Sequence, residues 1–136
     1  MRRLISLGVL LSLACAGTLY FASTTPAQAA PDAVIECVRT QLKELNYEQK
    51  AYDAQNHRIV VQHRQEGTRR PDANFRAVVD RIQLQAYPSP SGGSDVKLDA
   101  HTFGVYETNR GSTDDEEKAS DSVLIASQAI LDSCGK

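Results

Sequence analysis

The chain has no tryptophan, and aromatic residues make up only 6% of its 136 residues. It also lacks a strong excess of charge, with 15 basic and 17 acidic residues and a formal net charge of −2 at pH 7. Nucleic-acid-binding domains and polybasic membrane-binding segments carry a concentrated basic patch. The composition therefore predicts neither a nucleic-acid partner nor electrostatic attachment to a membrane.

Sequence motifs of common enzyme classes are absent as well. There is no G-x-x-x-x-G-K-[ST] or G-x-G-x-x-G phosphate-binding motif, no G-x-S-x-G nucleophile motif and no C-x-x-C pair. No pair of histidines or cysteines has the spacing of a zinc site. We therefore predict no cofactor and no bound metal, and we favour a binding domain over an enzyme.

The first thirty residues have the three-part pattern of a secretory signal peptide. Two arginines precede an uncharged segment from Leu4 to Ala22, and small residues follow it. An A-x-A cleavage motif stands at Ala27-Gln28-Ala29. The sequence thus predicts that residues 1–29 are removed and that residues 30–136 form one small exported domain.

Other interpretations of this N-terminus stay open. An uncharged span of 19 residues is close to the roughly 20 that cross a bilayer, so the segment could be a retained membrane anchor. Lipid attachment at Cys15 is a second alternative, although Ser12 stands where a bacterial lipobox usually has leucine. Twin-arginine export is a third and rests on two arginines alone. We expect an extracytoplasmic location, whether periplasmic, lumenal or secreted, with membrane attachment only if the N-terminal segment is retained.

Two cysteines remain after the signal segment, Cys37 and Cys134. A pair of cysteines in an exported domain of this size is most simply a disulfide. Such a bond closes a loop of about 100 residues, for which chain entropy gives about 4.7 kcal/mol of stabilisation. The sequence therefore predicts a structural disulfide between the beginning and the end of the domain.

Hydrophobic periodicity predicts helices at the two ends of the domain. Apolar residues recur at helical spacing between Asp32 and Asn46, where Pro31 suits a helix start. At the other end, Thr113 stands three residues before Glu116 in a capping-box arrangement, followed by an apolar ladder that reaches Cys134. We expect this last helix to begin with the acidic residues 114–117.

Strand-like patterns lie between the helices. Residues 58–65 are rich in β-branched side chains, and residues 96–107 also indicate a strand. Residues 75–87 fit either a helix or a strand, and the loop that follows favours a strand and a hairpin. Residues 47–56 are polar and ambiguous. The predicted fold is α+β, with the order α-β-β-β-α: a three-stranded antiparallel sheet covered on one face by two terminal helices and closed by the disulfide.

Four residues are the best candidates for a binding surface: Arg64, Arg69, Arg70 and Tyr87. The arginines cluster at the first strand-to-strand loop, and a separated charge of this kind can guide a partner. We expect the partner to be another extracytoplasmic protein, so that the chain acts as an inhibitor or an accessory subunit. The alternative is a small enzyme or ligand carrier with a site between sheet and helices, for which His63, His101 and Asp99 are the first candidates. The membrane-tethered module is a further alternative.

Overall fold

A computed structural model describes residues 19–136, so residues 1–18, with Cys15 and most of the predicted apolar segment, lie outside the described part. Six strands and two helices follow one another. They are β1 (Phe21–Ala27), α1 (Pro31–Leu45), β2 (Glu48–Asp53), β3 (Arg58–Gln65), β4 (Phe75–Pro88), β5 (Ser94–Thr108), β6 (Gly111–Glu117) and α2 (Asp121–Cys134). No helix within residues 19–136 has the length and apolar character required to cross a bilayer.

The predicted three-stranded sheet and its order α-β-β-β-α are wrong, although the α+β class is confirmed. All six strands form one antiparallel sheet, in which β2, β3, β4 and β5 are successive neighbours. Two strands share the outer edge of β5. Strand β1 pairs with Ser94–Ala100, and β6 pairs with Thr102–Thr108.

Edge position explains why periodicity does not reveal β2 and β6. The side chains of both strands are almost all exposed, so neither strand shows apolar alternation. Strand β6 is formed by a two-residue turn at Asn109-Arg110, after which Gly111 has a φ of 107°. Glycine adopts this backbone conformation without steric cost, and the turn brings the acidic residues 114–117 back along β5.

The first predicted helix is confirmed, and the start of the last one is wrong. Helix α1 begins at Pro31 and ends before Asn46, whose φ of 61° closes it in the left-handed conformation. Helix α2 begins at Asp121 because the Ser120 hydroxyl accepts a hydrogen bond from the Val123 amide at 3.1 Å. The Thr113–Glu116 capping box therefore does not form.

The predicted disulfide between Cys37 and Cys134 is confirmed. It joins the middle of α1 to the last turn of α2, with the two Cα atoms 5.7 Å apart. Both helices lie on one face of the sheet and bury it. The residues that meet there from the three long strands are Ile59, Val61, Ile82, Leu84, Ala86, Val96, Leu98 and Ala100.

The other face of the sheet has no helix of the described chain packed on it. Successive side chains of a strand point to opposite faces, so the neighbours of the core residues point to this side. On β4 and β5 they include Arg81, Gln83, His101 and Phe103. We call this side the open face.

Candidate functional site

Strand register places a group of aromatic and charged side chains together on the open face. Arg81 of β4 lies directly opposite His101 of β5, and Phe103 is two residues further along β5. Tyr20, just before β1, stacks on the His101 ring with centroids 5.1 Å apart. The group thus draws on three neighbouring segments that are far apart in sequence.

The rings and the guanidinium group form a continuous stack. The His101 and Phe103 ring centroids are 6.0 Å apart, and the Cζ atom of Arg81 lies 4.8 Å from the centre of the Phe103 ring. A guanidinium over an aromatic face is attracted by the ring quadrupole, typically by about 0.5–1 kcal/mol at exposed sites. Each member therefore limits the movement of the next.

Polar partners hold the same side chains from the sides. Glu116 Oε1 lies 2.6 Å from His101 Nδ1, and Arg81 Nη2 donates to Gln62 Oε1 at 3.3 Å and lies 3.8 Å from Asp114 Oδ2. Two of the four acidic residues 114–117, Asp114 and Glu116, thus line this cluster instead of capping a helix as the sequence indicated. We define the open-face patch as Tyr20, Arg81, His101 and Phe103 together with Asp114 and Glu116.

The open-face patch is accessible while its members are partly packed. The exposed fraction of Tyr20 is 42%, and those of the Arg81 and His101 side chains are 37% and 29%. Arginine, tyrosine and other aromatic residues contribute most of the binding energy at protein interfaces. This arrangement can contact apolar groups through its rings and polar groups through its arginine and carboxylates.

The structure does not bring the four sequence-predicted binding residues into one surface. Arg64 lies on the open face, in the same row across the sheet as Val79 and Phe103. Tyr87 is also on the open face but six residues beyond Arg81 along β4, which is about 20 Å. Arg69 is exposed on the β3–β4 loop, and within residues 19–136 its side chain makes no ion pair.

Arg70 points to the opposite side, where it holds the β3–β4 loop on the sheet. Its two terminal nitrogens donate to the two carboxylate oxygens of Glu117, with Nη2 to Oε2 at 2.7 Å, and Nη1 also donates to the Tyr106 hydroxyl at 2.8 Å. These hydrogen bonds lower the pKa of Glu117 and raise that of Arg70. Gly104 has no Cβ, and this leaves room for the contact between Arg70 and Glu117.

The histidines do not assemble a metal site. His63 lies opposite Asp80, whereas His101 lies opposite Arg81, the next residue of β4, so the two rings are on opposite faces. The sheet therefore separates His63 from His101 and Asp99, which share the open face. Across residues 19–136 there is no group of three potential metal ligands.

A concavity lies on the helix side, where the end of α1 approaches the beginning of α2. It has a volume of about 490 Å³, and its lining residues are Glu44, Leu45, Tyr47, His63, Ser122, Ile125 and Ala126. Tyr47 and His63 pack against each other in its wall, with ring centroids 5.3 Å apart. Burial, and secondarily the charge of Asp80, raises the pKa of the Tyr47 hydroxyl, which has no hydrogen-bond partner among the described residues.

Comparison with family models, with curated proteins and with solved structures found no significant match for this chain. The open-face patch and the helix-side concavity are therefore the two features from which a function can be inferred.

Proposed function

We propose that this chain is an exported, non-catalytic binding domain that recognises another extracytoplasmic protein through the open-face patch. The observation that carries the proposal is the stack of Tyr20, His101, Phe103 and Arg81 on an uncovered sheet face. An inhibitor of an extracytoplasmic enzyme or an accessory subunit is the role that fits a small domain of this kind.

Preorganisation supports this proposal. Binding normally requires that rotamer-rich side chains at the interface lose their freedom, at about 0.5–1.5 kcal/mol for each one immobilised. Arg81 and His101 are already held by Phe103, Asp114 and Glu116, so much of this cost is met before a partner arrives. The sheet below them is the most extensively paired part of the fold, since β4 and β5 form thirteen residue pairs.

The disulfide supports the location. Disulfides persist in oxidising compartments and are rare in the cytosol, so the Cys37–Cys134 bond is consistent with an extracytoplasmic environment.

Affinity capture from the exported fraction, with quantitative mass spectrometry, tests the proposal. We expect that Arg81→Ala and Phe103→Ala each reduce the recovery of one and the same partner at least about tenfold, as truncation of a central interface residue does. Lys97→Ala is the matched control, because Lys97 is a charged open-face residue four positions from His101, about 13 Å along β5. Equal recovery with all three variants would contradict the proposal.

The basic loop can be tested in the same assay. Arg70 is part of the contact with Glu117, so its replacement would disturb the fold as well as the charge. Arg69→Glu alone is the informative variant, because Arg69 is exposed and makes no ion pair within the described chain. Loss of the same partner would place the loop at the rim of the interface, and unchanged recovery would remove Arg69 from it.

The second candidate function is a ligand carrier that uses the helix-side concavity. It is favoured by the volume of about 490 Å³ and by Ile125, whose side chain is exposed at the rim. Native mass spectrometry of protein purified from the exported fraction would show a bound small molecule. We expect Ser122→Trp, which places a large side chain at the mouth, to abolish that adduct, and the absence of any adduct in the unaltered protein would remove this candidate.

A further inference from the structure

The fold includes residues that the predicted cleavage after Ala29 would remove. Strand β1 forms seven residue pairs with β5, from Phe21 opposite Ala100 to Ala27 opposite Ser94. Upstream of the strand, the Leu19 carbonyl accepts a hydrogen bond from the Ala119 amide at 2.8 Å. The chain from residue 19 onward is thus integrated into the domain.

Alternate side chains of β1 also contribute to the core. Phe21 and Ala27 point to the helix-covered side, where Ala27 is buried in the main hydrophobic cluster and Phe21 packs against it. Ser23 and Thr25 lie between them on the same side and are half-buried. This alternation is what a strand at the border of a core requires, and a segment discarded before folding has no need of it.

All three residues of the A-x-A motif contact the folded domain, Ala27 and Ala29 at the beginning of β5 and Gln28 at Lys136. Ser94, of which 1% is exposed, donates its hydroxyl hydrogen bond to the Ala29 carbonyl at 2.7 Å, and the Gln28 amide donates to the Lys136 carbonyl at 3.1 Å. Gly93 has a φ of 73°, and a Cβ at that position would overlap the Ala27 carbonyl oxygen. Close approach of this kind needs glycine.

Cleavage after Ala29 would leave this half of β5 without a partner. The amide and carbonyl groups of Ser94–Ala100 that pair with β1 would form an open sheet edge, whereas β6 would still cover Thr102–Thr108. Open edges of regular strands are sites of aggregation, and natural proteins cover them. The fold therefore favours a mature chain that keeps β1.

The sequence offers a second small-residue motif upstream. Ala14-Cys15-Ala16 has small residues at the same two positions as an A-x-A site, and the ten apolar or small residues of Leu4–Leu13 precede it. A basic start, an apolar region of 7–15 residues and a small-residue motif make a complete signal peptide. Cleavage after Ala16 would place the new N-terminus at Gly17, two residues before the described fold.

We propose that export cleavage occurs between Ala16 and Gly17, so that the mature domain keeps β1 and Tyr20. A signal peptidase of the exporting cell hydrolyses this one peptide bond: one water is consumed, Ala16 receives the new carboxylate and Gly17 the new amine. Cys15 leaves with the signal peptide, and Cys37 and Cys134 remain as the only cysteines. The proposal does not depend on the identity of the partner. Arg81, His101 and Phe103 remain in the mature chain wherever the cut falls, whereas Tyr20 remains only if the cut lies upstream of β1.

Intact mass and N-terminal sequencing of the full chain, expressed in an exporting host and purified from the exported fraction, test the cut. We expect a mature chain that begins at Gly17. A chain that begins at Ala30, retains Met1 or carries a lipid on Cys15 would overturn the proposal.

Two matched variants separate the two motifs, because signal peptidases require a small residue directly before the cut. We expect Ala16→Leu to stop processing and accumulate the uncut chain, while Ala29→Leu leaves the N-terminus at Gly17. The reverse pattern would assign the cut to the downstream motif. Neither variant requires knowledge of the partner.

Discussion

Gly93 and Ala27 approach so closely that the carbonyl oxygen of Ala27 occupies the space of a side chain at position 93. This contact joins the last residue of β1 to the turn before β5. Gly92, the preceding residue, also has a positive φ, of 92°, but faces open space. Replacement of either glycine would strain the backbone, whereas only replacement of Gly93 would also create a steric overlap.

We expect Gly92→Ala to lower the free energy of unfolding by about 1 kcal/mol, the cost of a left-handed conformation for alanine. Gly93→Ala carries the same strain and must also displace β1, so it should cost at least about 1 kcal/mol more. Urea unfolding of the exported protein measures both. If the two variants are equally stable, β1 is not seated against Gly93 in the mature chain.

The contact between Arg70 and Glu117 predicts a pH dependence of stability. The folded pKa of Glu117 is lowered, chiefly by its hydrogen bonds from Arg70, so the unfolded chain binds a proton more readily than the folded chain. The contribution is therefore fully present above the ordinary glutamate pKa and is lost as pH falls through the folded value. We expect Glu117→Gln to cost about 1–3 kcal/mol near neutral pH.

Thermal or urea unfolding between neutral and acid pH checks this prediction. The difference between the unaltered protein and Glu117→Gln should shrink as pH falls, because the unaltered carboxylate becomes protonated. Glu107→Gln is a suitable control, since Glu107 pairs with Arg76 at 3.0 Å at a more exposed site. A constant difference across the range would show that the charge of Glu117 does not stabilise the fold.

Asp80 is a buried polar centre between the sheet and α2. Its carboxyl oxygens accept hydrogen bonds from Thr102 at 2.7 Å, from Ser120 at 2.8 Å and from Gln65 at 2.9 Å. Removal of the acceptor leaves buried donors unsatisfied, at about 1–3 kcal/mol for each. We expect Asp80→Ala to cost about 3 kcal/mol or more, and Ser120→Ala about 1 kcal/mol through loss of the helix cap.

Denaturant unfolding of both variants checks the ranking. Asp80→Asn, which keeps one acceptor oxygen, should lie between the alanine variant and the unaltered protein. A loss below about 1 kcal/mol for Asp80→Ala would mean that water replaces the carboxylate and that the site is open.

The sequence predicts those parts of the fold that carry apolar patterning or cysteine. Helix α1, the disulfide and the strand at Phe75–Pro88 follow from such patterns and are confirmed. Strands β2 and β6 could not be predicted in this way, because exposed edge strands need no apolar alternation. Thr113–Glu116 satisfies the local capping pattern, yet the two-residue turn before Gly111 commits this segment to the sheet.

The open-face patch could not be predicted from the sequence because it depends on register. Arg81 and His101 are 20 positions apart, and only the pairing of β4 with β5 places them opposite each other. The same register separates His63 from His101, although the sequence gives no sign that they lie on different faces. A shift of one residue would exchange the two faces.

Reduction of the Cys37–Cys134 bond should lower stability without changing the fold. The loop between the cysteines spans 97 residues, for which the chain-entropy estimate is close to 4.7 kcal/mol at about 100 residues. We expect Cys37→Ser with Cys134→Ser to lose much of that amount in urea unfolding, with an unchanged far-ultraviolet circular dichroism spectrum. Equal stability with and without reductant would show that the bond is not formed in the exported protein.

Site-specific photo-crosslinking in the exporting cell tests the proposed function most directly. A photoreactive side chain at Gln83 stands on the open face, one row from Arg81 and His101, while the same group at Gln128 stands on the exposed side of α2. We predict that Gln83 gives a crosslink to one partner protein and that Arg81→Ala weakens it, with no such product from Gln128. A partner crosslinked from Gln128 and not from Gln83 would contradict the assignment of the open face as the binding surface.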